Sequence, residues 1–203
     1  MRFSCQRSGR CCSHPKLFIT LTIDDLIPLL KSTLSLEKLI NNVSFLKLDD
    51  SLSNGDKKQI SSQLVIRPIK TKDGEIVPIL KKKFNNAECV FYDTQTHSCS
   101  IYENRPMACQ IFPLGFTEIS GKKAVSWNGL GLKICPGINQ GEELPIAYLK
   151  SLIENANRNI EETNKKIDII NSETEKSEKL LTAKEALWTL LLIASQNYQE
   201  QSN

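Results

Sequence analysis

Helical spacing of apolar residues opens this chain, gives way to strand-like runs near its middle, and returns toward its end. In "TIDDLIPLLKS", Thr22 stands three residues before Asp25, an N-cap signature that starts an amphipathic helix. "LSLEKLINNVSFL" predicts a second helix, with Leu36, Leu39, Ile40 and Val43 at helical spacing. Residues 50–58, "DSLSNGDKK", read as a polar loop. In "QLVIRPIKTKDGEIVPILKKK", two β-rich runs flank Lys72-Asp73-Gly74, a hairpin signal, and Pro68 and Pro78 push both runs toward sheet edges.

The stretch from Cys89 to Pro113 is loop-rich, with a short turn or helix after Pro106, and "KKAVSW" reads as a further strand. From Pro145 the helical period resumes. Ile146, Leu149, Ile153, Ala156, Ile160, Ile167 and Ile170 mark one face of a long helix. "TAKEALWTLLLIASQNY" follows, with Thr182 and Glu185 as a capping box. The pattern predicts an α+β fold: a small cysteine-rich body with a β-hairpin and short helices, plus a C-terminal helical hairpin that packs on the body or on a second copy. The expected division is 1–141 for the body and 142–203 for the helical extension.

Charge sharpens this division. The net charge is +3, yet residues 1–140 carry 19 Lys/Arg against 12 Asp/Glu, and residues 141–203 carry 7 against 11. A basic body with an acidic tail does not by itself indicate nucleic acid, because basic residues near a thiolate-rich site neutralise that site. "MRFSCQRSG" has no apolar core of a secretory signal, and "LWTLLLIA" is too short to span a bilayer, so the expected compartment is cytoplasmic, with no membrane partner.

Seven cysteines carry the candidate chemistry: Cys5, Cys11, Cys12, Cys89, Cys99, Cys109 and Cys135. In a reducing compartment, clustered cysteines read as metal ligands or redox groups before disulfides. The middle three run C-x9-C-x9-C through a turn-rich stretch that is free to aim sulfurs at an ion. Adjacent cysteines in extended backbone face opposite sides, so Cys11 and Cys12 are expected on different ligand sets or opposite walls of one cavity. Thiolates are soft, anionic ligands suited to zinc and iron–sulfur clusters. Arg7, Arg10 and Arg105 are placed to offset their charge and to lower the thiol pKa values.

"FSCQRSGRCC", "CVFYDTQTHSCSIYENRPMACQIFPLGF" and "CPGINQGEE" together resemble the YkgJ-like cysteine-cluster family of zinc- or iron-chelating domains, over residues 1–141. The family pattern opens C-x-x-C-x-x-C-C and has eight cysteines; here Ser8 takes the second place, and the other seven positions match. The resemblance implies metal binding through those seven cysteines. Seven thiolates cannot fill two four-coordinate sites without Ser8, His14, His97, water or a substrate as the eighth ligand, so one principal metal centre is expected rather than two.

No C-x2-C knuckle and no ferredoxin run is present, so ligands that converge from one terminus and a distant loop suit a buried iron–sulfur cluster, [4Fe–4S] in type, with zinc as the alternative. Arg105 is the candidate to hold an anionic substrate or to offset cluster charge. Phe112, Pro113 and Phe116 read as an apolar shell around the metal, Lys81-Lys82-Lys83 and Lys122-Lys123 as solvated surface, and Gly129, Gly131 and Gly137 as turns around Cys135. The expected roles are a redox or cluster-handling protein with a protein partner, or a structural zinc module whose helical tail binds one. Flagellin lysine methylases are similar in the cysteine region, but no second catalytic domain is visible. No phosphate loop, Ser-His-Asp set or H-E-x-x-H motif supports an enzyme assignment.

Overall fold

A computed structural model describes residues 1–33, 35–48, 65–83, 88–119 and 122–202. The loop expected at 50–58 lies outside the described residues. Helix α1 (Ile23–Thr33) begins where the capping signature puts it: the Thr22 backbone N–H and hydroxyl both donate to Asp25 Oδ2 at 2.8 Å. Asp24 and Asp25 in its first turn and Lys31 in its last complement the helix dipole.

Helix α2 (Leu36–Asn42), capped by Ser35 Oγ accepting from Lys38 N, stops before the expected end. Val43 instead opens strand β2 (Val43–Lys47), because the alternating "VSFL" run pairs along strand β4 (Gly74–Leu80) from Val43↔Leu80 to Lys47↔Ile76. Strand β3 (Ile69–Thr71) forms the expected hairpin with β4 across Lys72-Asp73. The sheet order is β2-β4-β3, so β4 is central and Pro78 is not at an edge. Pro78 is tolerated because β3 does not reach it; that flank meets residues 19–21, where Leu21 N donates to Pro78 O and Leu80 N to Ile19 O.

The remaining body is built from three small antiparallel pairs. Strand β1 (Arg2–Phe3) pairs with β9 (Ile138–Glu143), β5 (Tyr92–Asp93) with β6 (Ser98–Cys99), and β7 (Leu114–Ile119) with β8 (Lys122–Trp127). Helix α3 (Met107–Ile111) follows Pro106 as expected. Gly129 and Gly131 lie in a short helix, α4 (Gly129–Ile134), rather than a turn, since Asn128 Oδ1 caps it by accepting from Leu130 N and Gly131 N.

Two long helices complete the α+β fold: α5 (Ile146–Ser177) and α6 (Ala183–Ser202). The capping box opens α6, with Thr182 N donating to Glu185 Oε2 at 2.7 Å and Glu185 N to Thr182 Oγ1 at 3.1 Å. Both helices pack on the body, α6 against α1 and β3, and α5 against α1, β3 and β8. Ile167, Ile170, Leu187 and Leu190 share one core with Leu26, Leu29, Ile69 and Ile76. Full burial of each such side chain stabilises by about 1.5–3 kcal/mol. Ile146, at the start of the expected apolar face, is 74% exposed instead, one turn beyond the packed region. Among the described residues, no helix is long and apolar enough to cross a membrane.

Candidate metal centre

The N-terminal cysteine segment is anchored at its base by the β1–β9 pair and by Ser4 N donating to Gly137 O. A Cβ at Gly137 would stand 2.2 Å from Ser4 O, so only glycine permits this approach. The chain then turns: Gly9 takes a φ of +68°, and its carbonyl accepts from both the backbone N–H and the hydroxyl of Ser13. This turn overrides the extended geometry on which opposite-facing sulfurs depended. The Cys11 and Cys12 sulfurs lie 3.9 Å apart.

The second cysteine segment meets the first directly. Cys89 N donates to Cys12 O at 2.7 Å. The β5–β6 hairpin sets Tyr92 opposite Cys99, and Asp93 Oδ1 closes its turn by accepting from Gln95 N and Thr96 N. The Tyr92 ring occupies the space a Cβ at Gly9 would need, 1.9 Å from the phenol oxygen, while its hydroxyl meets His97 Nδ1 at 3.1 Å. Helix α3 carries Cys109. Its first N–H, from Met107, donates to Asp25 Oδ1 at 2.7 Å.

These constraints bring Cys5, Cys11, Cys12, Cys89, Cys99 and Cys109 to the wall of one cavity of about 130 Å³. Its apolar lining includes Ile19, Leu80, Ile101 and Phe112; its cations are Arg7, Lys82 and Arg105. Cys135, at the C-terminal end of α4, does not line it. Arg10 is exposed and off the wall; half-buried His14, whose Nδ1 accepts from Lys16 N, is off it too. His97 lies on the wall. Phe116 packs away from the site with Ile111, Leu114 and Trp127.

Burial governs the thiols. It pushes Cys89, Cys99 and Cys109 above the ordinary thiol range, Cys109 well above. Cys11 is drawn down, to about 7, chiefly by its hydrogen bond with the Cys12 sulfur, and the same bond pushes Cys12 up. Arg105 bears on both Cys11 and Cys99, yet at Cys99 burial outweighs it, contrary to the expected general lowering. Lys82 corrects the sequence reading as well. It is half-buried against the thiols, with burial lowering its pKa, while Lys83 donates to Tyr92 O and pairs with Glu88. Lys82 stands two residues after Leu80, and positions two apart in an extended run share a face, so both line the cavity.

Among the described residues, no three His, Cys, Asp or Glu side chains converge on a single point where they could hold an ion. The donor set nevertheless fits a thiophilic metal: soft sulfurs, apolar walls that exclude competing water, and three cations to offset thiolate charge. The volume exceeds what one ion or one water requires, since a single water occupies about 10–15 Å³ on this measure.

An α+β body closed around a cavity of thiols defines a cysteine-rich chelating module. The chain matches, over residues 4–128, the CxxCxxCC family, described as "Putative zinc- or iron-chelating domain", and it belongs to that family. Membership places the chain among metal-binding domains. The match takes in all six cavity cysteines and ends before Cys135. Against the family's C-x-x-C-x-x-C-C, this chain reads Cys5-x-x-Ser8-x-x-Cys11-Cys12, and Ser8 lies on the cavity wall. No curated protein and no solved structure matches the chain.

Proposed function

We propose that the six-cysteine cavity holds an iron–sulfur cluster and that the protein moves electrons, or the cluster itself, to a protein partner. The single observation that carries this reading is the distribution of six thiols around one cavity larger than a single ion requires. Thiols spread over a wall suit a multi-atom cluster, which meets each ligand at a different iron, better than one ion that needs all ligands at about 2.3 Å. Such a cluster takes four thiolates, drawn from the six cavity cysteines, of which Cys5 lies at the exposed rim. Such a cluster would supply one-electron chemistry. The chain's own contribution is to exclude water through Ile101 and Phe112 and to offset charge through Arg105 and Lys82.

Zinc is the second reading, and a specific distance favours it. A tetrahedral ion with ligand bonds of about 2.3 Å sets its sulfurs about 3.8 Å apart, close to the 3.9 Å between Cys11 and Cys12. Anaerobic purification with an ultraviolet–visible spectrum and analysis for iron, zinc and acid-labile sulfide separates the two. Equal iron and sulfide in a coloured protein support the cluster. A colourless protein with zinc and no sulfide replaces it with the zinc module.

A further inference from the structure

We infer that the mouth of the thiol cavity binds a small oxyanion, a carboxylate or phosphate group, held by Arg7 and Arg105, which both stack on the Tyr102 ring. This rests on the reading of the cavity as a metal centre, with the anion as the group brought to that centre from outside.

Both guanidinium groups stack on one ring, the Arg7 carbon 4.3 Å and the Arg105 carbon 3.7 Å from its centroid. The two cations are therefore no further apart than the sum of those distances. Two like charges held so close repel each other, and an anion within reach of both offsets that repulsion. Among the described residues no carboxylate pairs with either arginine, and Glu103, exposed beside the ring, pairs with neither; the anionic groups that bear on Arg105 are the Cys11 and Cys99 thiolates, which a bound metal would take up.

The donors are also uncommitted. Arg105 Nε donates to Tyr102 O at 2.7 Å, which fixes the plane of the guanidinium and leaves its two terminal nitrogens without a partner among the described residues. Apart from the ring contact, the Arg7 side chain makes no hydrogen bond among the described residues. Its backbone adopts a φ of +48°, a left-handed conformation that costs a non-glycine residue about 1 kcal/mol or more, and its side chain lines the cavity. A planar fork of N–H donors matches the two oxygens of a carboxylate or phosphate. Ser8, next in sequence to Arg7, adds a hydroxyl at the same rim, at the position where the family pattern has a cysteine. The missing thiolate removes one negative charge from the rim, and the two cations remain.

The test uses the purified, metal-bearing protein and two probes, inorganic phosphate and succinate, titrated by calorimetry at low ionic strength. At least one probe should bind at a single site. Arg105→Gln and Arg7→Gln should each weaken it about tenfold or more, Arg105→Lys less than Arg105→Gln, and the exposed Arg10→Gln not at all. Preference for phosphate or succinate identifies which source of oxyanion the site takes. Binding of neither probe, or equal binding by the Arg7→Gln/Arg105→Gln double variant, overturns the inference. Metal content measured on the same samples keeps the two readings apart: anion binding lost with metal retained confirms the arginine site, and a metal-free wild-type protein that still binds the probe contradicts only the metal centre.

Discussion

The backbone N–H of Met107 donates to the buried carboxylate of Asp25, and so the helix that carries Cys109 hangs from the first turn of α1. The same carboxylate accepts both donors of Thr22. One side chain thus caps a core helix and fixes the approach of a cavity cysteine.

That dual role has a pH signature. Burial raises the Asp25 carboxyl to about 6, above the unfolded value of about 4. The folded state therefore holds the proton more tightly, and stability from this group is full below about pH 4 and is lost as pH rises through about 6. Asp25→Asn should flatten the slope of unfolding free energy against pH across this window. It should also cost about 1–3 kcal/mol at neutral pH, because one backbone donor loses its acceptor. Urea denaturation across the window checks both, and an unchanged slope would contradict the assignment.

Gly9→Ala should lose metal binding as well as stability. Its φ of +68° strains any side chain, and the new Cβ collides with the Tyr92 ring. Gly74→Ala is the control: φ is +103° there, but nothing lies within 4 Å, and the site is at the far hairpin. Strain alone should cost about 1 kcal/mol or somewhat more and leave metal content intact. Thermal melting with metal analysis separates the two.

Lys82→Met should raise the pKa values of the cavity thiols in metal-free, reduced protein, Cys89 foremost, since the ammonium lowers it. A shift of up to about one unit is expected on removal of a nearby opposite charge. Thiolate absorbance against pH reads it directly. No shift would mean that Lys82 points its charge to solvent.

Much of this architecture is legible in the sequence because it is local. The capping pairs Thr22–Asp25 and Thr182–Glu185, the turn at Lys72-Asp73, and the helix after Pro106 each form from neighbours in the chain. What is not legible depends on distant partners. Val43 turns from helix to strand because β4 is there to pair with it, and Pro78 sits in a central strand because its empty position faces residues 19–21. At the site, cysteine spacing marks the ligand candidates, but the inward turn of Lys82 and the packing of Tyr92 against Gly9 are tertiary facts. The convergence of Cys11 and Cys12 follows from a turn at Gly9 that spacing does not encode.

The capping box of α6 offers a prediction independent of the metal. Thr182→Ala removes the acceptor of Glu185 N and should cost about 1 kcal/mol, read by chemical denaturation, with metal content unchanged. Loss of metal in this variant would mean that α6 supports the site more directly than its packing on α1 and β3 indicates.

The central claim is that the cavity formed by Cys5, Cys11, Cys12, Cys89, Cys99 and Cys109 is the metal centre. The most direct test is metal content per chain, measured after anaerobic purification, for wild type, Cys109→Ser and Cys135→Ser. Cys109 lines the cavity and Cys135 does not. Cys109→Ser should lose most of its metal, and Cys135→Ser, off the wall but within charge range of Cys5 and Cys11, should lose less. A full complement of metal in Cys109→Ser would contradict the cavity as the metal centre.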